Sequence, residues 1–438
     1  MSAELPTYSE GVEPFAPPAE NYRQWGVALG QKVTAGAKFL VASTFEALSD
    51  QRAGLCDGLC AAGLDVVDLG ALPGPMIDYA RGRLHAAGSA LVLPSETGEA
   101  SSALRFALGE FAVDDDEAAR AVARSSKSGK RKRTCPRPLD VTFDYVAWLQ
   151  ETWVEPGLTA ELRVVIDPVH GAMAARARRY LSAIFPRCLF STIHDQPDPA
   201  LSLAGVAGAD VADLCDEVDR HRAHLGIAFD PAGDRLIAVD DHGVVLSADE
   251  VAWIFLRAIA DRLRGRKVVC DARLSSHVAQ AAISAGAEPV RVFGSRNAIC
   301  RATAEGSAIL GADGDGHFFF ESLGGAHDAL FAACQLIAAV ASSGEWLSEL
   351  RAACPRVYMT PDLRVEVDPR EHAAVVKQIR DNWSEFPQES LGALRIETPG
   401  GWVLVSCREA QPQMTFRFEG LDWHALDDLV DRFCDTLG

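Results

Sequence analysis

Three places in the chain put polar, chemically useful residues directly after an apolar run. Ser95 follows SALVLP, where a serine serves either as a turn or helix N-cap residue or as a nucleophile. Asp230 and Asp234 flank the turn PAGDR. Carboxylates so placed are turn formers, or ligands for a hard cation such as Mg²⁺, which takes carboxylate oxygens and keeps several waters. His317 closes the loop GADGDGH, either as a donor to a bound ligand or as a histidine satisfied within its own strand. A fourth polar loop, SCREAQP, spans 406–412.

The elements that must hold these loops read as strand-helix alternation. KFLVAST, LDVVDLG and SALVLP predict three strands, with helices over 48–62 and 75–88 between them, and the third strand runs into the polar stretch SETGEASSALRF. A second set repeats the plan: LRVVID, a helix over 172–184, CLFSTIH, a helix over 211–221, HLGIAFD, and LIAVDDHG as a hairpin partner. After a helix over 248–263, a third set follows: KVVCDA, a helix over 277–286, EPVRVF, a helix over 298–305, and the strand-loop-strand SAILGADGDGHFFFE. The apolar helix ALFAACQLIAAVA closes it. Such alternation implies mainly parallel sheets, which place ligands at the carboxyl ends of their strands. From Asp362 onward the pattern becomes strand, helix, three strands and helix, a small α+β unit. The expected class is therefore α/β, with three repeated modules in mixed, mainly parallel sheets plus a C-terminal α+β domain. The boundaries fall at 1–155, 156–262, 263–361 and 362–438, with a basic insert at 120–138.

Length and charge set outer limits. A chain of 438 residues exceeds one ordinary core, and no apolar run approaches the roughly 20 residues of a membrane helix. A net charge of −19 argues against binding a phosphate backbone, whose affinity rests on basic surface. The tract RAVARSSKSGKRKRTCPRP reads as a solvated loop projecting from the first module, a polyanion-binding role being the alternative. Eleven dispersed cysteines without CxxC spacing suggest neither a disulfide framework nor a zinc site, and fit a reducing, cytoplasmic location. The first 22 residues, acidic and proline-rich, read as an arm and lack the pattern of a secretory signal.

Taken in order along the chain, the loops resemble those of the α-D-phosphohexomutases, the phosphoglucomutases and phosphomannomutases, over nearly the whole length. LPSETGEASSALR matches the family's TASHNP and NGIK, placing Ser95 on the phosphoserine and Arg105 on the lysine. GIAFDPAGDRLIAVD matches the metal loop DGDADR, placing Asp230, Asp234 and Arg235 on three of its polar positions. GADGDGH matches the sugar loop GEESGH through Asp313, Asp315 and His317, and GWVLVSCREAQPQMTFRF matches the phosphate-binding loop GWVLVRPSGTEPKIRV. VDLGALPGP and VVIDPVHGAMA match framework segments. The resemblance implies four domains around a central cleft, acting on a small phosphosugar as a monomer or dimer. The reaction it implies interconverts hexose 1-phosphate and 6-phosphate, of glucose or mannose, through Ser95, with Mg²⁺ and a hexose 1,6-bisphosphate activator. Arg105 and Arg235 would assist transfer, Asp230 and Asp234 would hold the metal, and Asp313, Asp315, His317 and Arg408 would bind substrate.

The departures fall in the loops. Ala232 replaces the middle metal-loop aspartate and Pro231 its glycine, while Glu96 and Thr97 stand where the family has His and Asn. Ser406 replaces the arginine of RPSGTEP, leaving Arg408 as either a displaced phosphate clamp or an ordinary surface arginine. No counterpart of the family's GIRG lies between Tyr8 and Gln31. These changes set against the mutase a second expectation, a catalytically impaired relative that binds a sugar phosphate or a protein partner.

Overall fold

The structure is a computed structural model that describes residues 22–94, 102–109, 111–112, 132–153, 161–204, 211–407 and 412–437. The first module centres on β1 (Lys38–Ser43), whose KFLVAS run is buried almost throughout, as a strand covered on both faces must be. It pairs in parallel with β2 (Asp65–Ala71) and β3 (Gly88–Leu93). The helices Ser49–Ala61 and Gly74–Leu84 make the crossovers. The stretch after Ser102, expected as loop, is instead β4 (Ala103–Leu108), antiparallel to β3 with Leu91 opposite Arg105. Pairing with β3 makes this strand, and its own sequence signal is broken by the central arginine. Short β5 (Phe111–Ala112) and β6 (Arg137–Pro138) complete the order β5-β4-β3-β1-β2-β6.

The second module has the same plan. Here β7 (Arg163–Asp167) pairs in parallel with β8 (Leu189–Thr192) and β9 (Leu225–Phe229), and β10 (Leu236–Asp240) folds back on β9. The third repeats it with β11 (Lys267–Asp271), β12 (Glu288–Val292), β13 (Ala308–Ala312) and the antiparallel β14 (Phe318–Phe320). In all three the first strand lies between the second and third, and the fourth is the hairpin partner of the third. The three polar loops thus occupy the same place in each module, joining the carboxyl end of the third strand to its antiparallel partner between Leu93↔Ala103, Phe229↔Leu236 and Ala312↔Phe318.

The last unit is an antiparallel sheet, β15 (Tyr358–Met359), β20 (Met414–Gly420), β19 (Gly401–Cys407), β18 (Leu394–Thr398) and β17 (Gln388–Ser390) in order, with β16 (Leu363–Val365) also on β20. The helices His372–Asn382 and Trp423–Leu437 contribute Val376, Ile379, Leu426, Leu429 and Phe433 to its core. The α/β class with three repeated modules and a C-terminal α+β domain is therefore the architecture observed.

Two parts of the chain differ from expectation. The helix Tyr22–Gln31 was not anticipated; Gly26 and Gly58 let it cross Ser49–Ala61 so closely that a Cβ on Gly26 would meet Leu55 O at 2.4 Å. Of the basic tract, residues 120–131 lie outside the described residues. The rest does not project: Thr134 N donates to Cys60 O at 3.1 Å, and β6 lies parallel to β2.

Modules and loops are tied together by buried contacts. The Tyr145 hydroxyl, on the helix Thr142–Trp153, donates to Asp328 Oδ2 at 2.7 Å, and Asp328 caps the helix Ala329–Ser343 through Phe331 N. The second and third hairpin turns touch directly, since Leu236 N donates to Gly316 O at 3.0 Å. Gly316 has φ 89°, and a Cβ there would lie 2.8 Å from Leu236 O, so the contact requires glycine.

Candidate functional site

The second and third hairpin turns are each braced by their first carboxylate. Asp230 Oδ1 accepts from Asp234 N at 2.6 Å and Arg235 N at 3.0 Å. Asp313 Oδ1 does the same for Asp315 N and His317 N, both at 2.9 Å, while its Oδ2 meets His317 Nδ1 at 2.7 Å. Asp313 and His317 are buried, so Asp313 has both oxygens engaged within its own turn. Asp315 stands to one side, half exposed, and receives Arg273 Nη2 at 3.0 Å; Arg273 is itself anchored on the buried Asp271.

Asp234 is the centre of the site. Its carboxylate is almost fully buried, and cations reach it from two other modules. Arg105, projecting from β4, donates through Nη1 to Oδ2 and through Nη2 to Oδ1, the latter at 3.3 Å. Arg296 Nη1, at the start of the helix Arg296–Glu305, approaches Oδ2 at 3.4 Å. His327 Nε2 lies 3.6 Å from Oδ1, outside hydrogen-bond distance, and is buried without a hydrogen-bond partner. Burial pushes the Asp234 carboxyl up, but Arg105 and His327 outweigh it and hold it well below the usual carboxylate range. Burial and the charge of Asp234 push the Asp230 carboxyl up. Of the two, Asp230 is the one that takes up a proton first.

His317 links this cluster to the third turn. Arg235 Nε donates to its Nε2 at 3.3 Å, and Arg296 Nη1 lies 3.5 Å from the same atom. An Nε2 that accepts from a guanidinium carries a lone pair, so the ring proton sits on Nδ1 and points at Asp313. Burial, then Arg296 and Arg235, drive the His317 pKa well below its ordinary value, and the imidazole is neutral.

Gly74 makes room for the cluster. It opens the helix that follows β2, and its amide donates to Ala232 O at 2.8 Å. A Cβ at this position would lie 2.5 Å from Arg105 Nη2 and 2.6 Å from Asp234 Oδ1.

The site thus joins Arg105, Asp230, Asp234, Arg235, Asp313 and His317 in one network, with Asp315 beside it. Ser95 and Arg408 lie outside the described residues. Arg296, His327 and Arg273 were not anticipated from the sequence. For Arg296 a signal exists, a basic residue just after a serine N-cap that follows a strand, but many surface arginines share it.

Among the described residues, the donor set does not fit Mg²⁺. No group of three or more metal-ligating side chains exists among the described residues. Ala232, buried, stands where a third carboxylate would be needed. Asp234 already has both oxygens on the Arg105 fork, and Asp230 Oδ1 is turned to backbone amides. A divalent ion about 4 Å from a guanidinium also meets roughly 8 kcal/mol of repulsion at an effective dielectric of about 20.

Comparison with known proteins covers both the sequence and the fold. The family models for the phosphoglucomutase/phosphomannomutase alpha/beta/alpha domains II and III match residues 144–243 and 247–358. The chain is 30% identical over 336 residues to the phosphoglucosamine mutase of Ectopseudomonas mendocina, a match spanning 73% of each protein. It is 22% identical over 378 residues to the phosphomannomutase/phosphoglucomutase of Pseudomonas aeruginosa, spanning 83% of this chain and 79% of that one. The crystal structure of a phosphoglucomutase/phosphomannomutase family protein from Burkholderia thailandensis superposes with a TM-score of 0.83 at 23% identity, covering 100% of this chain and 97% of that one.

Proposed function

The chain belongs to the α-D-phosphohexomutase family, and from that premise we propose that its converging loops bind a hexose phosphate of the 1-phosphate and 6-phosphate class, without Mg²⁺-assisted turnover. The observation that carries this reading is the network itself. Arg105, Asp234, Arg235 and Arg296 come from three modules and meet at the hairpin turns where α/β sheets take ligands. Arg235 and Arg296 flank the neutral His317 and offer guanidinium donors suited to a phosphate monoester. Asp315, half exposed beside them, is placed to accept from sugar hydroxyls.

A second reading is turnover through a phosphorylated Ser95 with a hexose 1,6-bisphosphate. It is favoured by one observation: β4, the strand that follows the serine loop in the chain, delivers Arg105 into the metal loop. A cytoplasmic location is supported by the eleven cysteines, none of which forms a disulfide among the described residues. No helix among the described residues is long and apolar enough to cross a membrane.

Calorimetry on the full chain with glucose, mannose and glucosamine 1-phosphates and 6-phosphates, beside the unphosphorylated sugars, tests the proposal. Saturable heat from phosphorylated sugars alone is expected. Absence of binding to every phosphosugar sinks it. Conversion of 1-phosphate to 6-phosphate in the presence of Mg²⁺ and the bisphosphate replaces it with the second reading.

A further inference from the structure

We infer that the Arg105 guanidinium is a built-in substitute for the divalent ion, occupying the cation position of the second hairpin turn and excluding metal from it. The inference rests on the hexose-phosphate reading for its purpose, but its geometry stands independently.

Four features converge on it. The fork of Arg105 engages both oxygens of Asp234, and Arg296 shares one of them, so guanidinium groups occupy the positions from which this carboxylate would reach a cation. Ala232, at the centre of the turn, supplies no oxygen from its side chain; its backbone carbonyl faces away and accepts from Gly74 N at 2.8 Å. Gly74 is the only residue type that leaves the fork room to lie flat against Asp234, given the 2.5 and 2.6 Å approaches a Cβ would make. Arg296 then adds a second guanidinium, and His327 an imidazole, beside the same carboxylate, at 3.4 and 3.6 Å.

The chemistry differs from that of a metal in kind. A guanidinium carries one positive charge, delivers it in a fixed plane through hydrogen bonds, and cannot be chelated or exchanged. A dication, with strict octahedral demands and several retained waters, needs several open oxygens at once, and in this turn Arg105 and the backbone amides already engage both oxygens of Asp234 and one of Asp230. The site therefore keeps its positive charge in the presence of a chelator and gains nothing from added metal.

The test is Mn²⁺ binding followed by electron paramagnetic resonance on the full chain, for wild type and for the double variant Arg105→Lys with Ala232→Asp. Lysine withdraws the fork and aspartate supplies the missing oxygen. Wild type should leave the free Mn²⁺ signal unchanged, while the double variant should bind one Mn²⁺ per chain at least about tenfold more tightly. Stoichiometric Mn²⁺ on wild type that is lost in Asp234→Asn overturns the inference. So does a double variant that keeps the wild-type circular dichroism spectrum and melting temperature yet still binds no Mn²⁺. Glucose 1-phosphate calorimetry on the same samples separates this inference from the functional proposal: failure of wild type to bind the sugar phosphate removes the proposed ligand and leaves the Mn²⁺ result standing.

Discussion

Replacing Arg105 by methionine keeps most of the side chain's apolar volume and removes the fork from Asp234. Two charges about 3 Å apart attract by roughly 5 kcal/mol at an effective dielectric of about 20, and breaking a buried pair generally costs about 3–5 kcal/mol because one charge is left behind. Arg296 at 3.4 Å and His327 at 3.6 Å remain beside Asp234 and hold back part of that cost, so Arg105→Met should destabilise by about 2–3 kcal/mol. Asp234→Asn strands the guanidinium in turn and should cost a similar amount. The double variant leaves neither charge unpaired and should cost little more than one single variant. A double-mutant cycle from urea unfolding, followed by tryptophan fluorescence, should therefore give a coupling of about 2–3 kcal/mol. The coupling has a defined pH range. Asp234 is held below the usual carboxylate range, so its contribution is fully present above the unfolded value near about 4 and is lost only as pH falls through the lower folded value. Measurements at pH 7 and pH 5 should agree. Additive single-variant costs would refute the reasoning, and so would a coupling that disappears between those two pH values.

Asp328 predicts the opposite sign: burial, only partly offset by Phe331 N and the Tyr145 hydroxyl, raises its pKa from an ordinary carboxylate value to about 6. Its protonated form is favoured in the fold, so this contribution is complete below about pH 4 and lost as pH rises through about 6, by at most about 3 kcal/mol. The stability difference between wild type and Asp328→Asn should shrink over that window, and a flat difference would contradict the assignment. Gly74→Ala should push Arg105 and Asp234 apart, costing about 1–3 kcal/mol and abolishing most of their coupling; an unchanged cycle in the Gly74→Ala background would count against the packing described. Arg395 is buried on β18, stacks over Trp402 at 4.0 Å, and donates to Ala272 O, Leu274 O and Ser276 Oγ of the third module. Arg395→Met should leave those carbonyls unsatisfied, cost about 3 kcal/mol, and speed protease cleavage between the third and fourth units; an unchanged cleavage rate would argue that other contacts dock the last sheet.

How much of this was legible depended on whether a residue's role is local or collective. Apolar runs such as KFLVAS and LGIAF announced buried parallel strands because both faces are covered, and the apolar spacing of ADEVAWIFLRA announced its helix. The strand ALRFAL carries no strand signal of its own beyond the polar stretch that precedes it, because its polar centre, Arg105, points out of its own module to Asp234. What identifies it is a partner strand and a distant carboxylate. Arg296 and His327 are single residues at helix beginnings, with nothing nearby in sequence to distinguish them from surface residues. They become part of the site only when the second and third modules are joined at Leu236 and Gly316. Loop resemblance placed Asp313 among sugar-reading residues; the structure adds that its oxygens hold the turn and fix the His317 ring. The substitution at Ala232 was visible as a lost ligand, whereas the guanidinium beside it was not, since sequence spacing carries no information on which side chain reaches Asp234 from 129 residues away.

In the proposed function, guanidinium groups hold the phosphate of a phosphorylated sugar without a metal ion, while Asp315 accepts from its hydroxyls. Phosphorus-31 resonance of glucose 1-phosphate, titrated with the full chain first in EDTA and then with Mg²⁺ in excess, separates guanidinium from metal as the partner of the phosphate. The same saturable shift and the same dissociation constant are expected in both conditions, with the shift lost in Arg296→Met. A phosphorus signal that moves only after Mg²⁺ is added would overturn this reading.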